Sequence, residues 1–305
     1  MKAYSSYLQK YCLAIVMMAL IGASCRKQEL DSPNFDVSIE STTYAVGDPV
    51  TFNFTGTADV ITFFSGEKGA EYQYKDRITA DGSPQLQFAS YLQAGASTQT
   101  NTLGVLVSKD FTGIYDIENL QKATWTDITS RAALSTGADN TPSGVIDLSD
   151  QMEPNVPVFI AFRYTAAKDA AAAQPKWTIK NIAINNISDD GTDIPIAAQA
   201  NLNWGSLSVS NSANLWSFNA TALTFTGGGV NAEANEDWII SQPIQLDRAP
   251  RDYGKSIKPS ATTRLVTYTF AGYNAPGTYI ASFEAINANK WDEKKIVKQF
   301  TITVQ

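Results

Sequence analysis

Four short blocks between residues 123 and 186 decide the fold: ATWTDITSRAAL (123–134), SGVIDLSD (143–150), VPVFIAFRYTA (156–166) and WTIKNIAINN (177–186). Val156 to Tyr164 is rich in apolar and β-favouring residues and is long enough for a central strand of a sandwich. Trp177 to Ile184 alternates large apolar with polar residues, as a half-buried strand does. Together the blocks predict the core of a jelly roll.

The wider chain also favours an all-β protein. It has 305 residues, of which 44% are hydrophobic and 17% charged, so it can bury one large core or two medium ones. From Leu86 to Leu246 short strand-like runs are separated by Gly, Asn, Asp and Ser, with almost no helical periodicity. We expect strands at Leu103 to Ser108 and Trp238 to Leu246, and a hairpin formed by residues 202–209 and 215–225.

The two ends of the chain predict a second β domain. Strand patterns lie between Phe35 and Phe64, with Val50, Phe52 and Phe54 on one face. They are too few for an immunoglobulin-like (Ig-like) sandwich, and further strand patterns follow only after residue 262. We therefore expect residues 35–75 and 262–305 to form one discontinuous Ig-like sandwich. The jelly-roll domain, residues 76–261 with 252–258 as its return linker, is then an insertion between its strands.

The first 24 residues have the pattern of a signal peptide. Two lysines precede an apolar run that is too short to span a membrane, and small residues follow it. Cys25 comes next and has no cysteine partner in the mature chain. Ala23, Ser24 and Cys25 resemble the lipobox of bacterial lipoproteins, although Gly22 stands where that family has Leu. The resemblance implies lipidation of Cys25, a tether over residues 25–34 and an outer-membrane location.

Charge and composition exclude several function classes. The net charge is −7 and becomes more negative when the signal peptide is removed, which argues against nucleic acid as a partner. The sequence contains no histidine, so the usual base of a catalytic triad is absent. A glycosidase needs only two carboxylates. Its candidates would be Asp127, Asp147, Glu236 and Asp237, but their turn and strand-edge contexts favour a chain that is not an enzyme.

Five segments carry a resemblance to a known family: ADVITFFSGEKGAEYQYKDR (58–77), SKDFTGIYD (108–116), ATWTDIT (123–129), SGVIDLSD (143–150) and EDWIISQPIQL (236–246). They resemble domain-of-unknown-function family 5017 of Bacteroidetes-type surface lipoproteins. The middle of the chain is also similar to cleaved-adhesin and choice-of-anchor jelly rolls, which have a galactose-binding-like fold, and PGTYIASFEAIN (276–287) resembles the last strands of polycystic-kidney-disease-type domains. The family occurs with polysaccharide-utilisation systems, so the resemblance implies glycan capture.

Glycan binding predicts exposed aromatic rings beside polar groups. Trp177 and Trp238 precede alternating apolar residues and are expected in the core, whereas Trp125 fits either core or edge. The candidate ligand-binding residues are Trp204, Trp216, Trp291, Tyr72, Tyr74 and Arg77.

Calcium is the one cofactor that the sequence suggests, because turn acids offer the oxygen ligands that it prefers. The expected function is therefore a glycan-binding accessory protein. The alternatives are an adhesin or structural surface protein that binds a protein partner and, less favoured, a carbohydrate-active hydrolase. The calcium candidates are Asp110, Asp116, Asp147, Asp189, Asp190 and Asp237.

Overall fold

The computed structural model describes residues 29–259 and 263–305. Strands hold 47% of the residues and helices 5%, which confirms the all-β class. In chain order the strands and the helix are β1 (Asn34–Ile39), β2 (Thr43–Tyr44), β3 (Val50–Thr57), β4 (Val60–Phe64), β5 (Ser83–Gln93), β6 (Leu103–Ser108), α1 (Ile117–Lys122), β7 (Thr126–Asp127), β8 (Thr141–Pro142), β9 (Ile146–Asp147), β10 (Phe159–Ala166), β11 (Lys176–Ile187), β12 (Asp193–Ala198), β13 (Trp204–Ser210), β14 (Ser217–Phe218), β15 (Ala222–Thr226), β16 (Asn235–Ser241), β17 (Lys255–Lys258), β18 (Thr267–Phe270), β19 (Gly277–Ala288) and β20 (Glu293–Val304). Short 3₁₀ turns lie at Tyr72–Tyr74, Thr129–Arg131 and Ser149–Gln151.

The chain divides into two compact units. The first consists of residues up to 76 and from 251 onward, and the second of residues 77–250. The observed boundaries are therefore 76/77 and 250/251, whereas the sequence pattern predicts 75/76 and 261/262. The later boundary lies earlier than predicted because part of the expected return linker is the strand β17, which pairs antiparallel with β4 in the first unit. This pairing satisfies the backbone groups along an edge of β4 that would otherwise be free.

The first unit is a β-sandwich built from both ends of the chain. One sheet has the order β1-β3-β18 and the other the order β17-β4-β19-β20-β2. A single buried cluster takes side chains from both sheets, including Phe52, Phe63 and Phe283. Because β1 to β4 and β17 to β20 meet in this core, neither end of the chain can bury its apolar face without the other.

The second unit is a sandwich of two larger sheets. The first has the order β13-β16-β10-β6-β7, and the second has the order β14-β15-β11-β5-β8. In the second sheet β12 also pairs with β11, and β9 also pairs with β5. One buried cluster again takes residues from both sheets. β10 lies at the centre of its sheet, as the run Val156 to Tyr164 predicts.

Successive residues of β10 alternate between two apolar environments. Phe162 and Tyr164 face the core between the sheets, whereas Phe159 and Ala161 belong to a smaller cluster on the opposite face. Residues 111–125, including α1, supply Phe111 and Leu120 to that smaller cluster and cover part of the face, and β6 and β16 supply its other buried members. Arg163 is on the same outward face, so its position on β10 directs it away from the core.

Two details of the second unit differ from the sequence analysis. Residues 202–209 and 215–225 do not form a hairpin, because β13 pairs with β16 in one sheet and β15 pairs with β11 in the other. The helix α1 was not predicted, since six residues are too few to show a helical period. Its start is fixed by the Asp116 side chain, which accepts a hydrogen bond from Asn119 N at 2.7 Å.

The predicted signal peptide, residues 1–24, and the lipidation site Cys25 lie outside the described residues. Within residues 29–259 and 263–305, no helix combines the length and the apolar character needed to cross a membrane. The Ig-like and jelly-roll assignments are finer than the sandwich architecture described here and stay predictions.

Candidate functional site

A cleft of about 1000 Å³ opens in the second unit beside the start of β6. One wall comes from residues 94–102, which connect β5 to β6, and another from residues 129–136, which follow β7. Side-chain hydroxyl and amide groups dominate these walls, among them Thr98, Gln99 and Asn101. The cleft therefore offers many neutral hydrogen-bonding groups to a ligand.

Hydrogen bonds fix both walls to the sandwich. Gln99 binds the backbone of Ala167 twice, by accepting from its N–H at 2.7 Å and donating to its carbonyl oxygen at 3.1 Å. Thr129 Oγ1 accepts from Val105 N at 2.8 Å, and Ser135 N donates to an oxygen of the facing sheet. The polar groups of the walls are thus held in place before a ligand arrives, which lowers the entropy lost on binding.

Apolar side chains line the cleft between the polar walls. Leu92, Leu134 and Trp177 contribute to the lining. Trp177 is 4% exposed, so the prediction that it is a core residue is confirmed, and its Nε1 donates to Thr102 Oγ1 at 2.8 Å. Leu92 and Leu134 are half-buried, so they add apolar surface to a lining that is otherwise mostly polar.

The cleft is lined by two charged side chains of the described part of the chain, Arg163 and Asp127. Asp127 Oδ1 accepts a hydrogen bond from Thr129 N at 2.9 Å, so this carboxylate stabilises the start of the wall. The Arg163 side chain has neither a hydrogen bond nor an ion pair to any described residue, and its Nε is buried. Sequence reasoning missed Arg163, although a charged residue inside the apolar run VFIAFRYTA was a visible signal.

Trp204 and Trp216 do not lie in the cleft or on the surface. They are 7% and 4% exposed and belong to the core between the sheets. The expectation that their polar sequence surroundings mark exposure is therefore wrong. For Trp204 the reason is that the face of β13 that it shares with Ser206 and Ser208 points into the sandwich, so polar neighbours do not mark exposure here. For Trp216 the indole Nε1 finds a partner inside the protein, Asp237 O at 3.2 Å.

The remaining predicted binding residues lie elsewhere. Trp291 is 50% exposed at the turn between β19 and β20, where Lys290 Nζ lies 4.0 Å from its ring centroid. In the first unit, Tyr72 lines a cavity of about 340 Å³ and donates to Glu284 Oε2 at 2.8 Å, and Tyr74 is 38% exposed. Arg77, in the second unit, donates from Nε to a backbone carbonyl oxygen at 2.7 Å. None of the predicted aromatic residues lines the large cleft.

Most of the calcium candidates hold turns. Asp147 Oδ1 accepts from Ser149 N at 2.8 Å, and Asp190 Oδ1 accepts from Thr192 N at 2.9 Å. Asp110 Oδ1 likewise accepts from a backbone N–H at 2.7 Å. No three acidic, cysteine or histidine side chains in the described ranges come together as a metal site. Calcium binding stays a prediction.

Asp237 differs from the other calcium candidates in being buried. It is fully buried on the inward face of β16, directly between Tyr164 and Ser208 on the neighbouring strands. Neither of its carboxylate oxygens has a hydrogen-bond partner among the described residues, and the same holds for Ser206 Oγ and Asn235 Oδ1 on that face. Burial raises the pKa of Asp237 to about 6. An unpaired carboxylate in this position favours its neutral form.

The paired-carboxylate hypothesis receives no support from Glu236 and Asp237. As successive residues of β16 they point to opposite faces of the sheet. Glu236 Oε1 accepts from Trp238 Nε1 at 3.1 Å on the outward face, whereas Asp237 faces the core. The two carboxyl groups cannot flank one scissile bond.

The architecture defines an all-β protein of two sandwiches, one of which carries a polar cleft. The family described as "Domain of unknown function (DUF5017)" matches residues 24–204, more than half of the chain. The chain belongs to this family, as the four segments within the matched range predict; the fifth segment, residues 236–246, lies outside the match. The matched region contains every residue that lines the cleft. No curated protein and no solved structure matches the chain.

Proposed function

We propose that this chain is a non-catalytic glycan-binding protein of the cell surface, which serves a polysaccharide uptake system. The observation that carries the proposal is the cleft of the second unit, whose walls are rich in hydroxyl and amide groups and whose lining also includes the apolar side chains of Leu92 and Leu134. Sugars are recognised by that combination, with hydrogen bonds to their hydroxyl groups and apolar contact with a ring face. The absence of histidine from the sequence favours binding over catalysis.

The proposal includes a lipid anchor and a finer fold. The segment Ala23-Ser24-Cys25 supports lipidation at Cys25 in a Bacteroidetes-type outer-membrane lipoprotein. We assign the first unit to the Ig-like class and the second to the jelly-roll, galactose-binding-like class. The support for this assignment is the order of strand patterns and the resemblances of the middle and C-terminal segments. Replacement of Cys25 by Ser should release the protein from the membrane fraction, and unchanged retention of that variant would contradict the anchor.

Affinity gel electrophoresis tests glycan binding directly. The chain from residue 26 to 305, which keeps every described residue, is run through gels that contain single polysaccharides, with calcium and with a chelator. We expect retardation by at least one glycan class. A matched variant, Thr98→Ala with Thr100→Ala, removes two hydroxyl groups from one wall and should reduce that retardation.

Two other results would change the assignment. Retardation that requires calcium would support a bound calcium ion. Release of shorter sugars from an incubated polysaccharide would show that the protein is a hydrolase and not a binding protein. No retardation by any glycan would contradict the proposal and leave a surface adhesin with a protein partner as the better hypothesis.

A further inference from the structure

Arg163 projects from the centre of its sheet between a glycine and a tryptophan. Its direct neighbours across the strands are Gly104 on β6 and Trp238 on β16. The guanidinium carbon lies 5.5 Å from the centroid of the Trp238 ring, close enough for a cation–π contact. This contact with the buried indole limits the positions that the guanidinium can take.

Gly104 leaves the guanidinium open to the cleft. A Cβ atom at position 104 would lie 3.8 Å from Arg163 Nε and 3.6 Å from Thr129 Oγ1. A side chain there would therefore stand between Arg163 and the wall that begins with Thr129. Because residue 104 is glycine, no side chain fills the space between Arg163 and Thr129, and all three residues line the cleft.

The chain itself supplies no anion to Arg163. Within the described residues its guanidinium makes no ion pair, and its buried Nε has no hydrogen-bond acceptor. Asp127, the other charged residue of the lining, binds the backbone of its own wall. Arg163 lines the cleft, and a guanidinium without an anionic partner in the chain is available to an oxyanion that enters the cleft. The site therefore calls for an acceptor from outside the chain.

We propose that the cleft binds an acidic sugar, whose oxyanion is held by Arg163 while its hydroxyl groups contact the polar walls. This inference rests on the proposed glycan-binding function and specifies the ligand class. The planar guanidinium matches a carboxylate or a sulfate group, both of which offer two oxygens to its N–H groups. One cation neutralises one charge, and the net charge of −7 repels long polyanions. The ligand is therefore a glycan in which single acidic sugars stand among neutral ones.

The test compares matched oligosaccharides in titration calorimetry. The probes are a neutral xylo-oligosaccharide, the same chain with one glucuronic acid branch, and a neutral oligosaccharide with and without one sulfate ester. We expect the wild-type chain to bind an acidic probe about tenfold or more tightly than its neutral counterpart, as is typical of a charge-assisted hydrogen-bond pair. The carboxylate and sulfate arms distinguish the two sources of the oxyanion.

Three variants separate the role of Arg163 from a general charge effect. Arg163→Gln should remove the preference for the acidic probe and leave neutral binding within about twofold, whereas Arg163→Lys should keep part of the preference because it retains the charge. Gly104→Val should weaken binding of acidic and neutral probes alike by filling the cleft. Lys122→Gln is the control, since it removes one charge from an exposed residue that is ion-paired within α1. Thermal melting of each variant verifies folding.

The outcomes distinguish this inference from the function on which it rests. If the wild-type chain binds neutral and acidic probes equally, or if Arg163→Gln keeps the acidic preference, the inference is wrong and glycan binding stands. If no probe and no polysaccharide binds, the proposed function fails and the inference fails with it.

Discussion

Asp237→Asn should increase the stability of the protein at neutral pH, although it changes a fully buried side chain. The Asp237 carboxylate is fully buried, and neither oxygen has a hydrogen-bond partner among the described residues. Burial raises its pKa to about 6; Ser208 opposes this shift, and the negative charge of Glu236 adds to it. Tyr164, the residue opposite Asp237 on β10, contributes a hydroxyl that donates to Pro175 O at 2.8 Å and so does not pair with the carboxylate. Asparagine has nearly the same shape as aspartate and carries no charge.

The sign of the effect follows from the direction of the shift. The pKa of Asp237 in the folded state lies above the value of about 3.9 in an unfolded chain, so the folded state binds this proton more tightly. The stabilising contribution is fully present below pH 3.9 and is lost as the pH rises through 6. A shift of about two units corresponds to about 3 kcal/mol at pH 8, and to about 0.5 kcal/mol at pH 4. Relative to wild type, the variant should gain roughly 2 kcal/mol between pH 4 and pH 8.

Guanidinium unfolding followed by tryptophan fluorescence at several pH values between 4 and 8 measures this difference. Comparing the two pH limits cancels any constant effect of changed packing. Asp81→Asn is the matched control, because it makes the same change at an exposed carboxylate of the second unit. A difference between wild type and Asp237→Asn that does not change with pH would refute the reasoning. A loss of wild-type stability on addition of a chelator, absent in the variant, would instead indicate that Asp237 binds a cation.

Three further substitutions test the packing of each unit. Phe283→Ala should destabilise the first unit by about 3–5 kcal/mol, because this fully buried ring contacts Phe52 and Phe63 with centroids 4.7 and 5.0 Å away. Thermal unfolding measures the loss of stability, and Ile280→Ala, at an exposed position of the same strand, is the control and should change stability little. Glu284→Gln should lower the stability of the same unit by about 1–3 kcal/mol, since Glu284 accepts a hydrogen bond from Tyr72 at 2.8 Å and pairs with Lys75 at 3.4 Å. Urea unfolding measures this loss, and an unchanged midpoint would contradict a structural role for the carboxylate. Asp116→Ala should lower the free energy of unfolding by about 1 kcal/mol because α1 loses its cap, whereas Asp116→Asn should be nearly neutral. Faster hydrogen exchange at residues 117–122 in the alanine variant would show fraying of α1, and equal exchange in both variants would count against capping.

Local patterns gave the strands correctly where a strand is long and has one buried face. The alternation of Trp177 to Ile184 appears as β11, and the apolar run that ends at Tyr164 appears as β10 at the centre of its sheet. The separation of residues 202–209 from 215–225 into different sheets was not predictable in this way. Strand pairing depends on contacts between residues far apart in the chain, and neighbouring runs with similar patterns do not have to pair.

The candidate site was predicted less well than the fold, and the tryptophans show why. Trp204 and Trp216 were chosen because their neighbours in sequence are polar, but a polar residue next to a buried one is the normal pattern of a strand. Arg163, which lies in the cleft, was passed over because its neighbours are apolar. In both cases the side of the sheet on which a residue lies, rather than the polarity of its neighbours, decides whether a ligand can reach it.

Period-two patterning and local motifs are enough to assign the all-β class, most of the long strands and the family. Which residues share a site can be read only from the folded chain. Arg163, Gly104, Gln99 and Thr129 come from separate segments and meet at one cleft because β10 pairs with β6 and because two loops are hydrogen-bonded to the sandwich. That arrangement results from long-range pairing and side-chain packing, which no local run of residues specifies.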